Sequence, residues 1–197
     1  MLNYFDSTEE LNNLNLDLTN YYYFEEYFSD DEINKILRIA EKYKCVDGLV
    51  SIQNNKSYRS SKIKWIPNDN TTKWLYDELK TIVKKANKKM WNFDLTGFGE
   101  YIQIGEYTYD EQGHYDWHLD IGENCNYRKI SVSVQLNGPE DYEGGDLQFF
   151  TNRKIRTATK KKGSVILFPS YFMHRVTKIK KGIRRSLVIW VSGKPFK

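Results

Sequence analysis

Gly113-His114-Tyr115-Asp116-Trp117-His118-Leu119-Asp120 is the stretch on which the fold of this 197-residue chain is read. A glycine opens onto a run, 115–120, that reads as a strand, and it stands where the texture of the sequence changes. From Gly99 onward, short runs of alternating polar and apolar residues are separated by turn residues, with Gly138-Pro139 and Gly144-Gly145 as the clearest breaks. The alternation predicts strands at 99–107, 115–120, 128–137, 145–150, 164–168, 172–177 and 184–192. Many short strands of this kind build a β-sandwich or jelly roll. Gly144-Gly145 predicts a close turn ahead of Asp146-Leu147, where the backbone conformation calls for glycine.

Upstream the pattern is helical. Ser29 followed by Glu32 reads as a capping box, and Ile33, Ile36, Leu37 and Ala40 recur at helical spacing, so 30–44 is expected to be a helix. A second helix, 71–90, carries Leu75, Leu79, Ile82, Val83, Ala86 and Met90 on one stripe with lysines opposite, a stripe that belongs in a core. Between them, Tyr58 to Ile66 alternates and predicts a strand. A short strand is also expected at 21–24, and residues 1–20 read as an irregular lead-in. Helices first and strands afterwards give an α+β, mainly β arrangement: a double-stranded β-helix (jelly roll) braced on one face by N-terminal helices. The length predicts one domain over 1–197, with helical support at 24–95 and the jelly-roll core at 99–194.

The chain has only three histidines, and two lie in or just before the predicted strand at 115–120. Side chains at i and i+2 of a strand share a face, so His118 and Asp120 can grip one metal from one side. His174 supplies a distant third ligand. Two imidazoles and a carboxylate on one side of a metal, with the other side open, form the facial triad of non-haem Fe(II) oxygenases. His-x-Asp arises often by chance, so the triplet gains its meaning from its surroundings. His114 stands four residues before His118, yet the central Glu of a helical His-Glu-x-x-His pair is missing, and His114 is assigned to the loop ahead of the strand.

A hydrophobic content of 40% with 28% charged residues is ordinary for a soluble globular chain, and 15 Tyr, 10 Phe and 5 Trp predict a core rich in aromatics. Cys45 and Cys125 are far apart and form no Cys-x-x-Cys, which argues against a zinc knuckle or redox motif and for a reducing cytoplasm. No run approaches a membrane span, and the N-terminus lacks a basic region followed by an apolar stretch. A cytoplasmic protein is expected, or one of the host cytoplasm if the Asn- and Lys-rich composition reflects a viral genome. Basic residues crowd the last third, at Arg153, Lys154, Arg156, Lys160 to Lys162, Lys178, Lys180, Lys181, Arg184 and Arg185. A solvated basic loop is the simpler reading of these clusters, and an acidic partner or nucleic acid the alternative.

In Tyr109 to Asp120, Tyr142-Glu143-Gly144-Gly145-Asp146-Leu147, Gly163 to Ser170 and Phe168-Pro169-Ser170-Tyr171-Phe172-Met173-His174 the chain resembles the Fe(II)- and 2-oxoglutarate-dependent dioxygenases, of the prolyl 4-hydroxylase-like and PKHD type. The resemblance covers about 24–194 and lies in several motifs occurring in order. It implies that His118, Asp120 and His174 are the metal ligands. It also implies a basic anchor for the far carboxylate of 2-oxoglutarate about ten residues past the last histidine. Gly182-Ile183-Arg184-Arg185-Ser186 supplies that anchor as Arg184, with Arg185 the rival, since adjacent strand residues face opposite ways. Ser186 shares the parity of Arg184. Tyr109 and Gln135 are further candidates for the cosubstrate pocket. Tyr115, Trp117 and Arg59 are candidates for the substrate pocket, with packing as the competing role for the tyrosines.

The activity so implied is hydroxylation of an aliphatic C–H, on a prolyl or other peptidyl side chain, with Fe(II), 2-oxoglutarate and O2 consumed, ascorbate as reductant, and succinate and CO2 released. The alternatives are a free amino acid or small metabolite as substrate, or a catalytically silent jelly-roll binding module. Asp120 argues against a halogenating relative, and Trp190, six residues after Arg184, breaks the Arg-x5-Arg pattern of nucleic-acid demethylases. A peptide, protein or small-molecule substrate is therefore expected, with neither membrane nor nucleic acid as partner and the oligomeric state left open.

Overall fold

The computed structural model describes residues 18–48 and 57–195, so most of the expected lead-in lies outside the described residues. Along the chain come β1 (Tyr22–Phe24), α1 (Asp30–Ala40), β2 (Val46–Asp47), β3 (Arg59–Ser60), β4 (Lys62–Ile66) and α2 (Lys73–Met90). They are followed by β5 (Leu95–Phe98), β6 (Ile102–Thr108), β7 (His114–His118), β8 (Arg128–Gln135), β9 (Tyr142–Gly144) and β10 (Leu147–Thr151). β11 (Lys154–Thr157), β12 (Val165–Pro169), β13 (Met173–Val176) and β14 (Ile179–Gly193) complete the order.

The strands form two sheets. The larger runs β1-β12-β8-β14-β6-β4-β2, with β5 and β9 pairing the two ends of the long β14. The smaller runs β11-β10-β13-β7-β3. Period-2 alternation gives the larger sheet two unlike faces. Ile102, Ile104, Ile130, Val132, Val134, Val165, Leu167, Leu187, Ile189 and Val191 go to one side, where they pack with Ile33, Ile36, Leu75, Leu79, Ile82 and Ala86 of the two helices. The opposite face meets the smaller sheet through Tyr107, Ile166, Phe168, Leu147, Phe149 and Val176. This is the expected jelly roll with helices bracing one face.

Both helices form where the periodicity puts them. The capping box of α1 is complete: the Ser29 amide donates to Glu32 Oε2 at 2.9 Å and the Glu32 amide to Ser29 Oγ at 3.3 Å. The helix stops at Ala40 instead of running to 44, because Lys42 and Tyr43 already bond to carbonyls three residues back and turn the chain toward β2. The strand expected over 58–66 divides at the buried Ser61. Its first half, β3, joins the smaller sheet beside β7, and its second, β4, joins the larger sheet beside β6. One short segment thus ties the two sheets together at a corner.

The expected 115–120 strand is β7, which begins at His114 and ends at His118, so His114 belongs to the strand and Asp120 to the loop beyond it. β9 and β11 are additional short strands, and β14 starts earlier than the alternation suggested because Ile179 to Gly182 pair with β9. Among the described residues, no helix is long and apolar enough to cross a membrane.

Leu79 is fully buried between helix and sheet. Leu79→Ala is expected to cost about 2–5 kcal/mol, through lost transfer energy and the cavity left behind. The neighbouring exposed Lys80→Ala should stay within about 0.5 kcal/mol. Urea midpoints of the two variants test the assignment of the stripe.

Candidate active site

A cavity of about 550 Å³ lies between the sheets and opens to solvent. Its floor is the polar face of the larger sheet. Gln103, Ser133, Arg184, Ser186 and Trp190 line it there, while His118, Asp120 and His174 enter from the smaller sheet and its loop. Among the described residues these last three are the one group of donors close enough to share a metal, their ligand atoms all lying within 4.8 Å of one another.

Each of the three is oriented by its own neighbourhood. His118 pairs across the sheet with His174, while Tyr115 pairs with Val176. Between these pairs two residues of β7, Asp116 and Trp117, thus face the single Arg175 of β13, which is a β-bulge. The bulge lets Tyr115 and His118, three apart, point to the same side. The His118 Nδ1 lies 2.7 Å from the Asp116 carbonyl, and His174 Nδ1 lies 2.9 Å from the Phe172 carbonyl. A carbonyl can only accept, so each Nδ1 carries the proton and each Nε2 presents its lone pair to the cavity.

Asp120 is fixed from three directions. Its amide donates to the Ser170 carbonyl at 3.0 Å, its carbonyl accepts from Arg128 Nη1 at 3.1 Å, and its Oδ2 accepts from Ser131 Oγ at 2.6 Å. The carboxylate stands 3.5 Å from His174 Nε2 and 3.8 Å from His118 Nε2. Burial works against its charge, but the two imidazoles and the Ser131 hydroxyl hold its carboxyl below the ordinary range. Two lone-pair nitrogens and a carboxylate on one side of an open cavity suit Fe(II). The predicted trio therefore comes together, although Asp120 reaches it from a loop and not from the strand face.

Arg184 is 1% exposed, and among the described residues no carboxylate pairs with it. Nη1 donates to Ser186 Oγ at 3.2 Å and Nη2 to Gln135 Oε1 at 3.1 Å, while Nε has no partner. The guanidinium lies 5.5 Å from the Tyr107 ring centroid. The buried Tyr142 hydroxyl lies against this guanidinium; burial raises its pKa although the cation opposes the shift, so it remains a donor. A buried cation with only neutral partners is costly unless a ligand brings the anion. Gly145 makes room for this side chain: at φ +60° it adopts a left-handed conformation, and a Cβ there would stand 3.0 Å from Arg184 Cδ and 2.5 Å from Ile179 Cδ1. Arg185 turns the other way and pairs with Glu106 at 3.4 Å.

The remaining candidates divide. Arg59 and Tyr115 line the cavity, the guanidinium 4.7 Å from the ring centroid, and Tyr115 stacks on His118 with centroids 3.4 Å apart. Ser186 lines it as well, whereas Gln135 acts by holding Arg184. Tyr109 is 56% exposed and does not reach the cavity. Tyr107, two residues earlier on the inward face of β6, is the tyrosine beside Arg184. Trp117 faces outward from the smaller sheet, against Phe150 and Arg175. His114 points away from the trio, its ring nitrogens 2.8 and 2.9 Å from the carbonyls of Gln112 and Ser57. Sequence reasoning assigns no site role to Ser131, Tyr142 or Arg128. Ser131 had a signal, because it lies on the same strand face as Gln135. In the basic last third, Lys160, Lys161, Lys162 and Arg185 are paired with Asp146, Glu25, Asp30 and Glu106.

Residues 102–192, which hold the trio and Arg184, match the 2OG-Fe(II) oxygenase superfamily. A PKHD-type hydroxylase of Crocosphaera subtropica is 27% identical over 168 residues, 83% of this chain and 74% of that protein. The likeness marks this chain as an oxygenase of the 2OG-Fe(II) type. Solved structures share the oxygenase's fold. A prolyl hydroxylase from Trichoplax adhaerens, in complex with a hypoxia inducible factor oxygen degradation domain peptide fragment, matches with a TM-score of 0.74 at 19% identity, over 94% of this chain and 86% of that one. A prolyl-4-hydroxylase from Pseudomonas putida matches with a TM-score of 0.70 at 19% identity, over 87% and 92%. The oxygenase is an oxidoreductase of the dioxygenase type, and the superfamily it matches implies Fe(II), 2-oxoglutarate and O2.

Burial, and then the neighbouring His174, push the His118 imidazole down to about 3. In the unfolded chain it titrates near 6.5. The stability tied to its neutral form is whole above that value and drains away as pH falls toward the folded value. For the metal-free oxygenase this amounts to on the order of 2 kcal/mol between about pH 7 and pH 5. Urea unfolding at the two pH values measures it, and His118→Gln should flatten the dependence. Ser131→Ala, which takes the donor from Asp120 Oδ2, is expected to weaken Zn2+ binding roughly 10- to 100-fold, as read by competition with a chromogenic chelator.

Proposed function

We propose that this oxygenase hydroxylates an aliphatic C–H of a prolyl or other peptidyl side chain, releasing succinate and CO2. In this reading His118, Asp120 and His174 hold Fe(II), and Arg184 anchors 2-oxoglutarate. The observation that carries it is the meeting, in one cavity, of an open three-donor face and a buried guanidinium lacking a carboxylate of its own. A dicarboxylate answers both needs, since one end can reach the metal while the other neutralises the cation.

Bound together, Fe(II) and 2-oxoglutarate supply the O2-dependent oxidation. The chain's own contribution is positional. The Phe172 and Asp116 carbonyls keep the imidazoles in the binding tautomer, and Ser131 keeps the Asp120 carboxylate aimed at them. Gln135 and Ser186 turn the Arg184 fork, leaving Nε and the Tyr142 hydroxyl as donors for an incoming carboxylate. Tyr115 and Arg59 wall the side on which substrate would approach, and the exposed Leu119, Tyr127 and Trp65 edge the cavity. The peptide bound by the Trichoplax enzyme favours a peptidyl substrate.

The reading is tested by succinate release from 2-oxoglutarate with added Fe(II) and ascorbate, followed by a mass search for one added oxygen on candidate peptides. Turnover is expected, and His174→Ala should abolish it; unchanged turnover in that variant would refute the assignment. Arg184→Met removes the charge while keeping the stem. It should raise the KM for 2-oxoglutarate by roughly 30-fold or more, the loss of about 2–5 kcal/mol expected on breaking a buried charge pair. In the absence of ligand the same variant should melt no lower than the parent, because no native anion is stranded.

A further inference from the structure

A second hollow, of about 490 Å³, adjoins the cavity and shares Trp65 and Glu100 with it. It is lined by Asn68, Tyr76, Phe98, Gly99 and Tyr101 in addition to those two. We propose that it receives an aromatic or other large apolar side chain of the same polypeptide whose reacting residue enters the main cavity. The proposal rests on the peptidyl reading above and specifies how such a substrate is chosen.

The walls define the ligand. Glu100 is the only charged liner, and both its oxygens are taken by Arg128, Nε to Oε1 at 2.6 Å and Nη2 to Oε2. That guanidinium also stacks 3.9 Å from the Trp190 ring centroid. The hollow therefore offers neither a free anion nor a free cation. Tyr76 contributes its ring and not its hydroxyl, since that oxygen donates to the Ile66 carbonyl at 2.7 Å and accepts from the Ile102 amide at 2.9 Å. Its edge-to-face contact with Phe98, centroids 5.8 Å apart, makes an aromatic floor whose shape is set before any ligand arrives.

Continuity identifies the occupant. Trp65, 38% exposed, is the ridge between the hollows, with Tyr101 at 56% beyond it and Leu119 and Tyr127 on the cavity side. Four exposed large apolar side chains along one path mark a contact surface. A ligand that used all of them would run from the main cavity over the indole into the second hollow, as an extended chain does when alternate side chains fill separate pockets.

The test loads the protein with Zn2+ and 2-oxoglutarate and selects binders from a displayed library of random peptides, in parallel with the Tyr101→Ala and Phe98→Ala variants. The expected result is a shared anchor residue together with Trp, Tyr, Phe or Leu at a fixed offset. The companion's enrichment should fall roughly tenfold or more in the variants while the anchor persists. An anchor without a companion, or a companion equally enriched in both variants, overturns the second subsite and leaves the peptidyl reading standing. No enrichment at all, with 2-oxoglutarate still bound, overturns the peptidyl reading and this inference with it.

Discussion

β14 divides its side chains between two environments, and the site depends on that division. Leu187, Ile189 and Val191 go to the helices, while Arg184, Ser186 and Trp190 go to the cavity. The same rule sorts β8 into Ile130, Val132 and Val134 on one side and Ser131, Ser133 and Gln135 on the other. A register slip of one residue would carry a guanidinium into the helix interface and Leu187, Ile189 and Val191 into the cavity. The helices lock the register from the apolar side, and the polar face is carried on the back of a core it does not itself provide.

The polar face is stable only in part. Arg184, whose Nε is buried without a partner, and Tyr142, whose buried hydroxyl has only that cation beside it, are short of hydrogen-bond partners. These groups weaken the free protein and become assets when a ligand supplies what they lack. The apolar cluster on the helix side, which holds Trp91 and most of the fully buried leucines and isoleucines, provides the stability that offsets them.

Much of this was legible in the sequence, for reasons that can be named. Helical periodicity placed Leu75 to Ala86, the Ser29-Glu32 box set the start of α1, and alternation put Arg184 and Arg185 on opposite faces. What escaped was whatever interrupts a period. The bulge between Tyr115 and His118 leaves no compositional trace, and it is what brings Tyr115 to the side of His118, whereas Trp117, next to that histidine, faces out as strict alternation requires. The corner at Ser61 looks like one continuous strand, because both halves alternate and only their pairing partners differ. Tyr109 matched by motif position, yet the inward parity of β6 ends at Tyr107. Ser131 acquires its meaning only when the fold brings Asp120 to it across eleven positions of sequence.

The carbonyl that orients each imidazole sits two residues earlier on the same chain, Asp116 for His118 and Phe172 for His174. Each of these histidines is thus a self-contained cassette: three successive residues encode both the nitrogen and its tautomer. Asp120, by contrast, borrows its orientation from Ser131, Ser170 and Arg128. Grafting the two histidine tripeptides onto another pair of antiparallel strands would carry their protonation pattern along, whereas the carboxylate would arrive unaimed. Sequence drift around the cavity can therefore reshape the pocket while leaving the histidine half of the centre electronically unchanged, with the acid as its adjustable member.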